Sequence, residues 1–546
     1  MKVVILGGVA AGTKVAAKLK RSCPDAEVLI LTKGEDISYA GCGLPYYLSG
    51  AIEDKAQLIV NTPERFEGLT GATVRTGVAA IAMDPEAKTV TIEQGSTKEQ
   101  EVVSYDELVI ATGADALRPP VPGMDLPGVY TLRTPADAIA LRNAVGQGAL
   151  RRVTVVGGGF IGLETAENLC AKGIRCTVID MAPQILPGFD PEVAAYIEDH
   201  LAQEGIMVFT GTKLLALEGE DRVEKVVTDR RPMKCDAVVM AAGIRANTAF
   251  TKDSGLKLLP NRTIEVNEYL ETNLPHVYAL GDCATVKNRL TQEAAWAPMG
   301  SSANMEGRLL AQTLSGKDKE SFPGVLGTMV IRLPNLNAGK TGLSYTQAKE
   351  RYEDAVAITC VVDDKAHYYP GASHFIIKMV ADKASDRLLG LQVLGRGAVD
   401  KIVDIAVTAL SLHAKLSDLE DMDLAYAPPF STAIHPFTHA VNILRNKMEG
   451  TLSSMTPQEF QDLKEEERAG LTILDAAPAP NLSDARYINL TEVLGSIGDL
   501  DPNGRYLLVC QKGKRAYLLQ NRLRHYGYEH TKVLEGGTTF NNLKNE

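Results

Sequence analysis

Two glycine-rich segments, each directly after a run of apolar residues, constrain the fold of this chain more than any other feature. The first is KVVILGGVAAG at residues 2–12, and the second is RVTVVGGGFIG at residues 152–162. Each pattern predicts a buried strand, a tight glycine turn and then a helix. Such a turn lets the backbone approach a pyrophosphate, and the helix N-terminus offers N–H donors and partial positive charge. The chain therefore has two candidate dinucleotide sites.

The second segment carries the stronger signal. Gly157, Gly159 and Gly162 fill the GxGxxG pattern of a Rossmann-type βαβ unit, and the next predicted strand, Arg175–Ile179, ends in Asp180. A carboxylate at that place accepts hydrogen bonds from a ribose 2′-hydroxyl and repels a 2′-phosphate. We therefore expect this unit to bind NADH rather than NADPH.

The first segment matches the pattern less completely. A helix is predicted over residues 10–20 and a strand over residues 27–32, but Val9 stands where the pattern has a glycine. The strand ends in Thr32-Lys33 instead of an acidic residue. The first segment alone leaves dinucleotide binding open.

Size and charge exclude several classes of protein. A chain of 546 residues predicts about three or four domains. The formal net charge of −11 disfavours a nucleic-acid partner. No apolar run reaches the length of a membrane span, and the chain enters a strand at once without a signal peptide. We expect a cytoplasmic location and no membrane partner.

One of the eight cysteines stands out by its surroundings. Cys42 lies between glycines in SYAGCGLPYY, residues 38–47, shortly after the first βαβ unit. A helix that begins after it is predicted to lower the pKa of the thiol through the helix N-terminus. There is no CxxC motif and no His/Cys cluster with zinc spacing, so no metal site is predicted. Most of the other cysteines are expected to be buried as small apolar groups.

Further strand endings follow the same order as in a known family. GGVAAG at 7–12, LVIATG at 108–113, GGGFIGLE at 157–164 and VYALGDCA at 277–284 resemble the flavin-dependent pyridine nucleotide–disulfide reductases, and the resemblance spans residues 1–445. It implies an FAD site and an NADH site, with Asp282 near the ribityl and phosphate groups and Glu164 near the nicotinamide. The implied cofactor-binding residues are Gly7, Gly8, Gly12, Lys33, Thr112, Gly113 and Asp282 for FAD, and Gly157, Gly159, Gly162, Glu164, Asp180 and Gly243 for NADH or its surroundings.

The position five residues after Cys42 decides the branch of the family. The two-cysteine branch has its second cysteine there, whereas this chain has Tyr47. The segment instead resembles the single-cysteine branch, which contains coenzyme A disulfide reductases, NADH oxidases and peroxidases, and NADH-dependent persulfide or polysulfide reductases. Relatives usually have Asn immediately before the cysteine, and this chain has Gly41. That departure bears on the choice of substrate and not on the reaction type.

The resemblance also implies an interface domain beyond residue 325 and a homodimer with shared active sites. HYYPG at 367–371 and LAYAPP at 424–429 match segments that place tyrosines of the partner subunit at the cysteine, here Tyr368 and Tyr426. Their phenols are candidate proton donors to a departing thiolate. Three further residues, Lys18, Arg21 and Ser38, are candidate contacts to substrate, coenzyme A included. His435 stays without an assigned role.

The C-terminal part carries a second candidate sulfur site. Predicted strands at 471–475 and 505–509 are followed by Cys510 in a Cys-x-x-Gly-x-Arg turn, which resembles a rhodanese active loop. Backbone N–H groups in such a loop stabilise a thiolate or a persulfide. Lys512, Lys514 and Arg515 add positive charge. The module is short and lacks an arginine at Ala477, so a domain kept only for packing is the alternative.

These observations predict an α/β protein with two Rossmann-like FAD/NAD(P)-binding domains, an α+β dimerisation domain and a C-terminal rhodanese-like α/β domain. The expected boundaries are 1–112 with 245–322 for FAD binding, 113–244 for NAD binding, 323–447 for dimerisation and 455–546 for the rhodanese-like domain. The stretch from 448 to 469 is expected to be a linker followed by a short helix.

The predicted function is that of an FAD-dependent enzyme that uses NADH to reduce sulfur–sulfur bonds through Cys42. Its expected substrates are small thiol-derived molecules: coenzyme A persulfide, polysulfide or coenzyme A disulfide, with Cys510 handling sulfane sulfur. The first alternative is an NADH oxidase or peroxidase in which Cys42 cycles through a sulfenic acid. The second is a redox-sensing protein that binds the dinucleotides without turnover.

Overall fold

The computed structural model describes residues 1–543 and divides the chain into two compact units. The first unit contains Met1–Leu186 and Leu201–Val325. The second contains Pro187–His200 and the chain from Leu326 onward. Each unit is built round its own sheets.

The first unit is made of short strands and helices in alternation. Its strands are β1 Lys2–Leu6, β2 Glu27–Leu31, β3 Thr73–Arg75, β4 Val78–Asp84, β5 Thr89–Gln94, β6 Gln100–Ser104, β7 Glu107–Ile110, β8 Ala114–Ala116, β9 Val129–Thr131, β10 Arg152–Val156, β11 Arg175–Ile179, β12 Met207–Phe209, β13 Leu214–Glu218, β14 Lys225–Thr228, β15 Met233–Lys234, β16 Ala237–Met240, β17 Ile244–Ala246, β18 Ile264–Glu265, β19 Val277–Ala279, β20 Ala284–Lys287 and β21 Ala294–Ala295. The helices up to residue 314 are α1 Ala11–Ser22, α2 Leu44–Ser49, α3 Pro63–Thr70, α4 Pro135–Gly146, α5 Phe160–Cys170, α6 Pro191–Gln203 and α7 Gly300–Leu314, of which α6 lies mostly in the second unit.

The first five-stranded sheet positions the first glycine turn. Its order is β19-β7-β1-β2-β3, and all of its pairs are parallel. Val3 and Ile5 of β1 pack in one core with α1 and α7, while Val4 and Leu6 pack in a second core with β4 to β6. A strand buried on both faces reads as a continuous apolar run, which explains why KVVIL shows no alternation.

The second five-stranded sheet repeats this arrangement round the second glycine turn. Its order is β12-β11-β10-β16-β9, again with parallel pairs. β10 ends at Val156 and α5 begins at Phe160, so the turn between them lies at the carboxyl edge of the sheet. This edge is where open α/β sheets bind their ligands.

The second unit contains an antiparallel sheet and a separate parallel sheet. Its strands are β22 Met329–Leu333, β23 Leu336–Gly342, β24 Ala355–Asp363, β25 His374–Asp382, β26 Arg387–Gly395, β27 Ser454–Met455, β28 Thr472–Asp475, β29 Arg486–Tyr487, β30 Tyr506–Val509 and β31 Thr531–Leu534. Its further helices are α8 Tyr345–Lys349, α9 Val399–Ser411, α10 Leu416–Glu420, α11 Pro436–Met448, α12 Pro457–Gln461, α13 Glu465–Ala469, α14 Lys514–His525 and α15 Gly537–Phe540. The antiparallel sheet has the order β22-β23-β26-β25-β24, and the parallel sheet has the order β27-β31-β30-β28-β29.

A buried cluster of charges holds residues 187–200 to the antiparallel sheet. Lys378 of β25 lies 2.9 Å from Asp190 and also pairs with Glu192, and all three side chains are almost fully buried. Gln392 donates to Asp190 over 2.7 Å. Although burial opposes ionisation, Lys378 and two backbone N–H groups hold the pKa of Asp190 below its usual value. The predicted NAD-binding boundaries enclose this segment, yet its hydrogen bonds are made within the second unit.

Glu535 fixes the C-terminal parallel sheet to the antiparallel sheet. Its carboxylate lies 2.6 Å from Lys447 of α11 and accepts hydrogen bonds from Ser454 at 2.6 Å and from the Thr359 N–H at 2.8 Å. The Glu535 side chain is 1% exposed. Such a pair is stable because every charge in it is matched and hydrogen-bonded.

The structure confirms the predicted fold class. The stretch after α11 differs from the expected linker, because β27 pairs with β31 only a few residues after α11 ends. Within residues 1–543, no helix has the length and apolar character required to cross a membrane.

Replacing Glu535 tests whether the buried pair joins the two sheets. We expect Glu535→Ala to reduce the free energy of unfolding of the second unit by about 3 kcal/mol, because Lys447 is left without its partner. Limited proteolysis should then release a C-terminal fragment that begins near residue 450. Glu449→Ala, which removes a more exposed pair with Arg445 in the same unit, is the control and should cost less than about 1 kcal/mol. Equal effects of the two substitutions would contradict this prediction.

Candidate active site

Each glycine turn has the same kind of close backbone contacts. A Cβ on Gly7 would lie 2.0 Å from the Ala111 carbonyl oxygen, and one on Gly12 would lie 1.9 Å from the Gly7 oxygen. In the second turn, a Cβ on Gly157 would lie 2.1 Å from the Ala241 oxygen, and one on Gly162 would lie 1.9 Å from the Gly157 oxygen. Only glycine fits these positions, which is why the two segments look alike in sequence.

Both turns lead into helices whose first N–H groups are left without a side-chain cap. Neither α1 nor α5 has a capping side chain at its N-terminus, and the space beside Gly159 is open. Free N–H groups at a helix N-terminus behind a glycine turn favour a bound pyrophosphate. These residues therefore fit a dinucleotide at each turn.

Asp180 lies at the end of β11, directly beside the second turn. Its Oδ2 accepts a hydrogen bond from the Gly158 N–H at 2.7 Å, and its Oδ1 accepts one from the Ala182 N–H at 2.8 Å. These bonds fix the carboxylate at the carboxyl edge of the sheet, where its remaining lone pairs can accept further hydrogen bonds.

Asp282 follows β19 and is held on two sides. Its Oδ2 lies 2.6 Å from the guanidinium of Arg133, and its backbone oxygen accepts a hydrogen bond from the Trp296 ring N–H at 3.0 Å. The preceding residue, Gly281, donates its N–H to the carboxylate of Glu306 at 2.7 Å. Asp282 thus has a fixed orientation at the carboxyl edge of the first sheet.

The segments that adjoin the first turn are tied to it through the backbone. The Thr112 hydroxyl donates to the Asn247 oxygen at 2.7 Å, and the Asn247 N–H donates to the Gly113 oxygen at 2.9 Å. Ser38 donates its N–H to the Gly8 oxygen at 2.8 Å and has a φ of +48°. A serine in this left-handed region is uncommon and is held there by the surrounding structure.

The remaining predicted cofactor and substrate residues lie in loops or on α1. Lys33 is exposed just after β2, and Gly243 has open space beside its Cα. On α1, Lys18 is half-buried and Arg21 is exposed in the last turn.

Cys42 lies in a single 3₁₀ turn, Gly41–Gly43, and is exposed. The following helix, α2, has a proline at its start and presents Tyr46. The Tyr46 hydroxyl donates to Glu164 of α5 at 2.9 Å, which links the cysteine segment to the second dinucleotide unit.

The predicted lowering of the pKa of Cys42 is wrong for this structure. Although the residue is exposed, the protein atoms around the sulfur partly desolvate the thiol and raise its pKa, and the negative charge of Glu164 adds to that effect. Arg133 opposes it. The helix after Cys42 spans only Leu44–Ser49, so its dipole is too short to outweigh burial. Burial likewise raises the pKa of Glu164.

Tyr368 and Tyr426 meet on the surface of the second unit. Tyr368 lies in the loop between β24 and β25, and Tyr426 follows α10. The neighbouring phenol of Tyr368 raises the pKa of Tyr426. Their exposed fractions are 67% and 49%, so both phenols are available to another molecule.

His435 has a structural role that the sequence left open. Its Nδ1 accepts a hydrogen bond from the Phe437 N–H at 3.2 Å, so the side chain caps α11. Burial, with a smaller effect of Lys401, lowers the pKa of His435 to about 4. The imidazole is therefore neutral near pH 7, as its acceptor role requires.

Cys510 directly follows β30 at the carboxyl edge of the parallel sheet and is buried. Its backbone oxygen accepts a hydrogen bond from the Thr538 N–H at 3.1 Å, and a Cβ on Gly537 would lie 2.1 Å from that oxygen. Gly513 has a φ of +87° and ends the loop just before α14. The loop is thus fixed against the turn at residues 536–539.

Two of the three basic residues near Cys510 have partners outside the loop. Lys512 pairs with Asp363 at the end of β24, and the Arg515 Nε donates to the Ala476 oxygen at 2.7 Å. Their charge is therefore partly used to fix the loop, which the sequence did not indicate.

Sequence reasoning missed three residues of the first unit: Tyr46, Arg133 and Glu306. Tyr46 belongs to the recognised Cys42 segment, and a phenol near a thiol could have been noted there. Arg133 and Glu306 lie in ordinary helix or loop sequence, and their roles arise only from contacts with Asp282 and Gly281.

Family comparisons agree with this geometry. The pyridine nucleotide-disulphide oxidoreductase profile matches residues 1–297, and the dimerisation domain of that family matches residues 332–437. The chain belongs to the pyridine nucleotide-disulphide oxidoreductase family, whose members use FAD and NAD(H).

Three relatives show which members of this family the chain is similar to. The chain is 36% identical to the NAD(P)H sulfur oxidoreductase (CoA-dependent) of Pyrococcus abyssi, over 81% of this chain and 98% of that one. It is 32% identical to an NADH oxidase of Methanocaldococcus jannaschii, over 82% of this chain and 99% of that one. It is 30% identical to a coenzyme A disulfide reductase of Staphylococcus aureus, over 80% of this chain and 97% of that one.

Two solved structures match nearly the whole chain. Reduced Bacillus anthracis CoADR-RHD has a TM-score of 0.93 at 31% identity, covering 99% of this chain and 97% of that one. The NAD-dependent persulfide reductase from A. fulgidus has a TM-score of 0.92 at 31% identity, covering 99% and 100%. Both matches include the C-terminal module, which lies beyond the family profiles.

A charge-neutral variant of Glu164 tests its influence on Cys42. We expect Glu164→Gln to lower the pKa of Cys42 and to accelerate its alkylation by iodoacetamide at pH 7.5 by about two- to fivefold, because one negative charge is removed. The rate is followed by mass spectrometry of the Cys42 peptide. Glu86→Gln, in an exposed turn, is the control, and a rate unchanged in both variants contradicts the prediction.

The buried carboxyl group of Glu306 is expected to make the free energy of unfolding depend on pH. Burial raises the pKa of Glu306 from 4.5 to about 7, so the folded protein holds a proton that the unfolded chain releases above pH 4.5. Its contribution to stability is fully present below pH 4.5 and is lost as the pH rises through about 7, on the order of 3 kcal/mol in all.

The isosteric variant Glu306→Gln removes this titration. Denaturant unfolding at pH 5 and pH 8 should show a smaller difference for Glu306→Gln than for the wild type, with the variant more stable at pH 8. Identical pH dependence in the two proteins would contradict the assignment.

Proposed function

We propose that this protein uses NADH to reduce sulfur–sulfur bonds in small molecules, through Cys42. The observation that carries this proposal is the exposure of the cysteine: of the cysteines in residues 1–543, Cys42 alone is exposed. It lies in the same unit as both dinucleotide turns, and Tyr47 leaves it without a second cysteine in its segment. Its disulfide partner must then come from the substrate.

The first turn is assigned to FAD and the second to NADH. The FAD residues are those that surround the first turn, Gly7, Gly8, Gly12, Thr112, Gly113 and Asp282, with Lys33 at the end of the next strand. Asp180 supports NADH over NADPH, because a fixed carboxylate at the end of β11 accepts from ribose hydroxyls and repels a 2′-phosphate. Gly157, Gly159 and Gly162 approach the pyrophosphate, and Glu164 lies near the nicotinamide.

In the proposed reaction, the Cys42 thiolate attacks one sulfur of the substrate S–S bond. A bond forms between Cys42 and that sulfur, the S–S bond breaks, and the other sulfur leaves as a thiolate. FAD, when bound, supplies the two-electron chemistry that carries reducing equivalents from NADH to sulfur. Arg133 stabilises negative charge on Cys42, since it already opposes the rise of its pKa.

Tyr368 and Tyr426 are proposed to complete the active site in a homodimer. Both lie within the stretch matched by the dimerisation domain, both are exposed, and the two phenols are neighbours. Supplied by the second subunit, this pair would give a proton to the departing thiolate.

The proposed substrates are coenzyme A persulfide, polysulfide and coenzyme A disulfide. A relative in Pyrococcus horikoshii, 34% identical, is named NAD(P)H coenzyme A polysulfide/persulfide reductase. Lys18, Arg21 and Ser38 are the proposed contacts to coenzyme A. The C-terminal module is proposed to act as a rhodanese-like carrier that holds sulfane sulfur on Cys510. A cytoplasmic location belongs to the same proposal.

A second candidate is an NADH oxidase or peroxidase that forms a sulfenic acid on Cys42. The name of the Methanocaldococcus relative favours it. The water-forming NADH oxidase from Lactobacillus brevis, however, covers only 83% of this chain, whereas the persulfide reductase from A. fulgidus covers 99%. A module that handles sulfane sulfur has no use in oxygen or peroxide turnover, so we favour sulfur reduction.

Anaerobic NADH consumption with each substrate tests the proposal. We expect Cys42→Ser to lose at least about 100-fold of the activity toward all three substrates, because the nucleophile is removed, while NADH still bleaches the flavin. Cys510→Ala should lose activity with persulfide or polysulfide but not with coenzyme A disulfide.

Cys23→Ser serves as the control, since Cys23 is half-buried and takes no part in the proposed reaction. If Cys42→Ser turns over persulfide at the wild-type rate, the proposed mechanism is contradicted. If the wild type turns over oxygen or peroxide rapidly without reducing sulfur, the protein is an NADH oxidase or peroxidase.

A further inference from the structure

The two dinucleotide turns are built on the same framework of backbone hydrogen bonds. In the first turn, the Gly7 N–H donates to the Leu31 oxygen at 2.8 Å. In the second turn, the Gly157 N–H donates to the Ile179 oxygen at the same distance, 2.8 Å. Each acceptor is the last residue of the second strand of its βαβ unit. The two turns therefore correspond residue by residue.

Thr32 of the first turn stands where Asp180 stands in the second. The Thr32 N–H donates to the oxygen of Arg75, the last residue of β3, at 3.0 Å. The Asp180 N–H donates to the oxygen of Phe209, the last residue of β12, at 3.0 Å. The backbones agree at this position, so the two turns differ there in the side chain.

The side chain at this position determines what a bound ribose meets. In the second turn, the Asp180 carboxylate accepts the Gly158 N–H at 2.7 Å. In the first turn, the equivalent N–H of Gly8 and the hydroxyl of Thr32 have no hydrogen-bond partner within residues 1–543. Lys33, the next residue, is exposed and forms no ion pair with the part of the chain that the structure describes. A neutral hydroxyl and an ammonium group thus replace the carboxylate.

The next acidic side chain does not fill this place. Glu35 is exposed, and its Oε1 lies 3.1 Å from where a Cβ on Gly77 would stand, beyond the end of β3. It accepts no hydrogen bond from the Gly8 N–H. The end of β2 therefore has no carboxylate that could hold ribose hydroxyls or repel a phosphate.

We propose that Thr32 and Lys33 give the first turn a ribose selectivity opposite to that of the second turn. The first turn holds the adenosine ribose of its dinucleotide without a carboxylate, and it accepts a phosphate group on that ribose. This inference rests on the proposed assignment of FAD to the first turn. Without the carboxylate, the adenosine end of FAD loses two charge-assisted hydrogen bonds and depends on the pyrophosphate contacts of the glycine turn.

A carboxylate introduced at position 32 tests the ribose contact. FAD release from the full-length flavoprotein is followed by the rise of flavin fluorescence after dilution at fixed ionic strength. We expect Thr32→Asp, which copies the second turn, to slow this release about tenfold, because the ribose hydroxyls gain a charged acceptor. Ser96→Asp adds the same charge to an exposed turn of the same unit and should release FAD at the wild-type rate.

Competing nucleotides test the acceptance of a phosphate in the wild type. Dilute holoenzyme is equilibrated with AMP or with adenosine 2′,5′-bisphosphate, and the displaced flavin is measured by its fluorescence. Binding of either nucleotide at the second turn displaces no flavin. We expect the bisphosphate to act at about two- to fivefold lower concentration than AMP, because Lys33 attracts the additional phosphate. Lys33→Ala should remove this preference.

Two results would overturn the proposal. One is FAD release from Thr32→Asp at the wild-type rate, and the other is AMP that competes as well as the bisphosphate or better. Either result leaves the proposed function intact. A purified chain that binds no FAD would instead contradict the assignment of the first turn and the proposed function with it.

Discussion

A close backbone contact in each glycine turn positions the residues round the two dinucleotide turns. In each turn, a glycine in the first turn of the helix lies against the carbonyl oxygen of the glycine that follows the strand. A side chain at Gly12 or Gly162 would push the helix away from the sheet edge. The uncapped helix N-termini would then no longer face the space beside the turn. The cofactor residues and the Cys42 segment depend on this contact, since all are arranged round these two edges.

Local patterns predicted the elements well, because strands and glycine turns are encoded over a few residues. The strand Arg175–Ile179 matches its prediction, and the predicted strand at 27–32 ends one residue earlier, at Leu31. Pairings between distant residues could not be predicted in the same way. Tyr46 with Glu164, Lys512 with Asp363 and Lys378 with Asp190 each join residues far apart in the chain, and nothing in either local sequence specifies the partner.

The direction of the pKa shift of Cys42 also could not be predicted from the local sequence. The flanking glycines and the following helix predicted a more acidic thiol, but the balance is decided by burial and by Glu164, which comes from another element. Arg133 is the opposing charge, and it is shared with Asp282. The reactivity of such a cysteine depends on burial and on charges that other parts of the chain supply. A motif can therefore identify the nucleophile without giving its protonation state.

The buried carboxylate of Glu535 has a consequence for how sulfur could travel. It is bound at once by α11, by β24 and by the start of β27, so the module with Cys510 is attached to the antiparallel sheet through buried polar contacts. Lys512 adds a second attachment directly at the Cys510 loop. If the module carries sulfur as proposed, this attachment excludes delivery by a carrier that swings on a flexible tether. The molecule that gives sulfur to Cys510 or takes it away would then have to reach the loop where the sheet holds it.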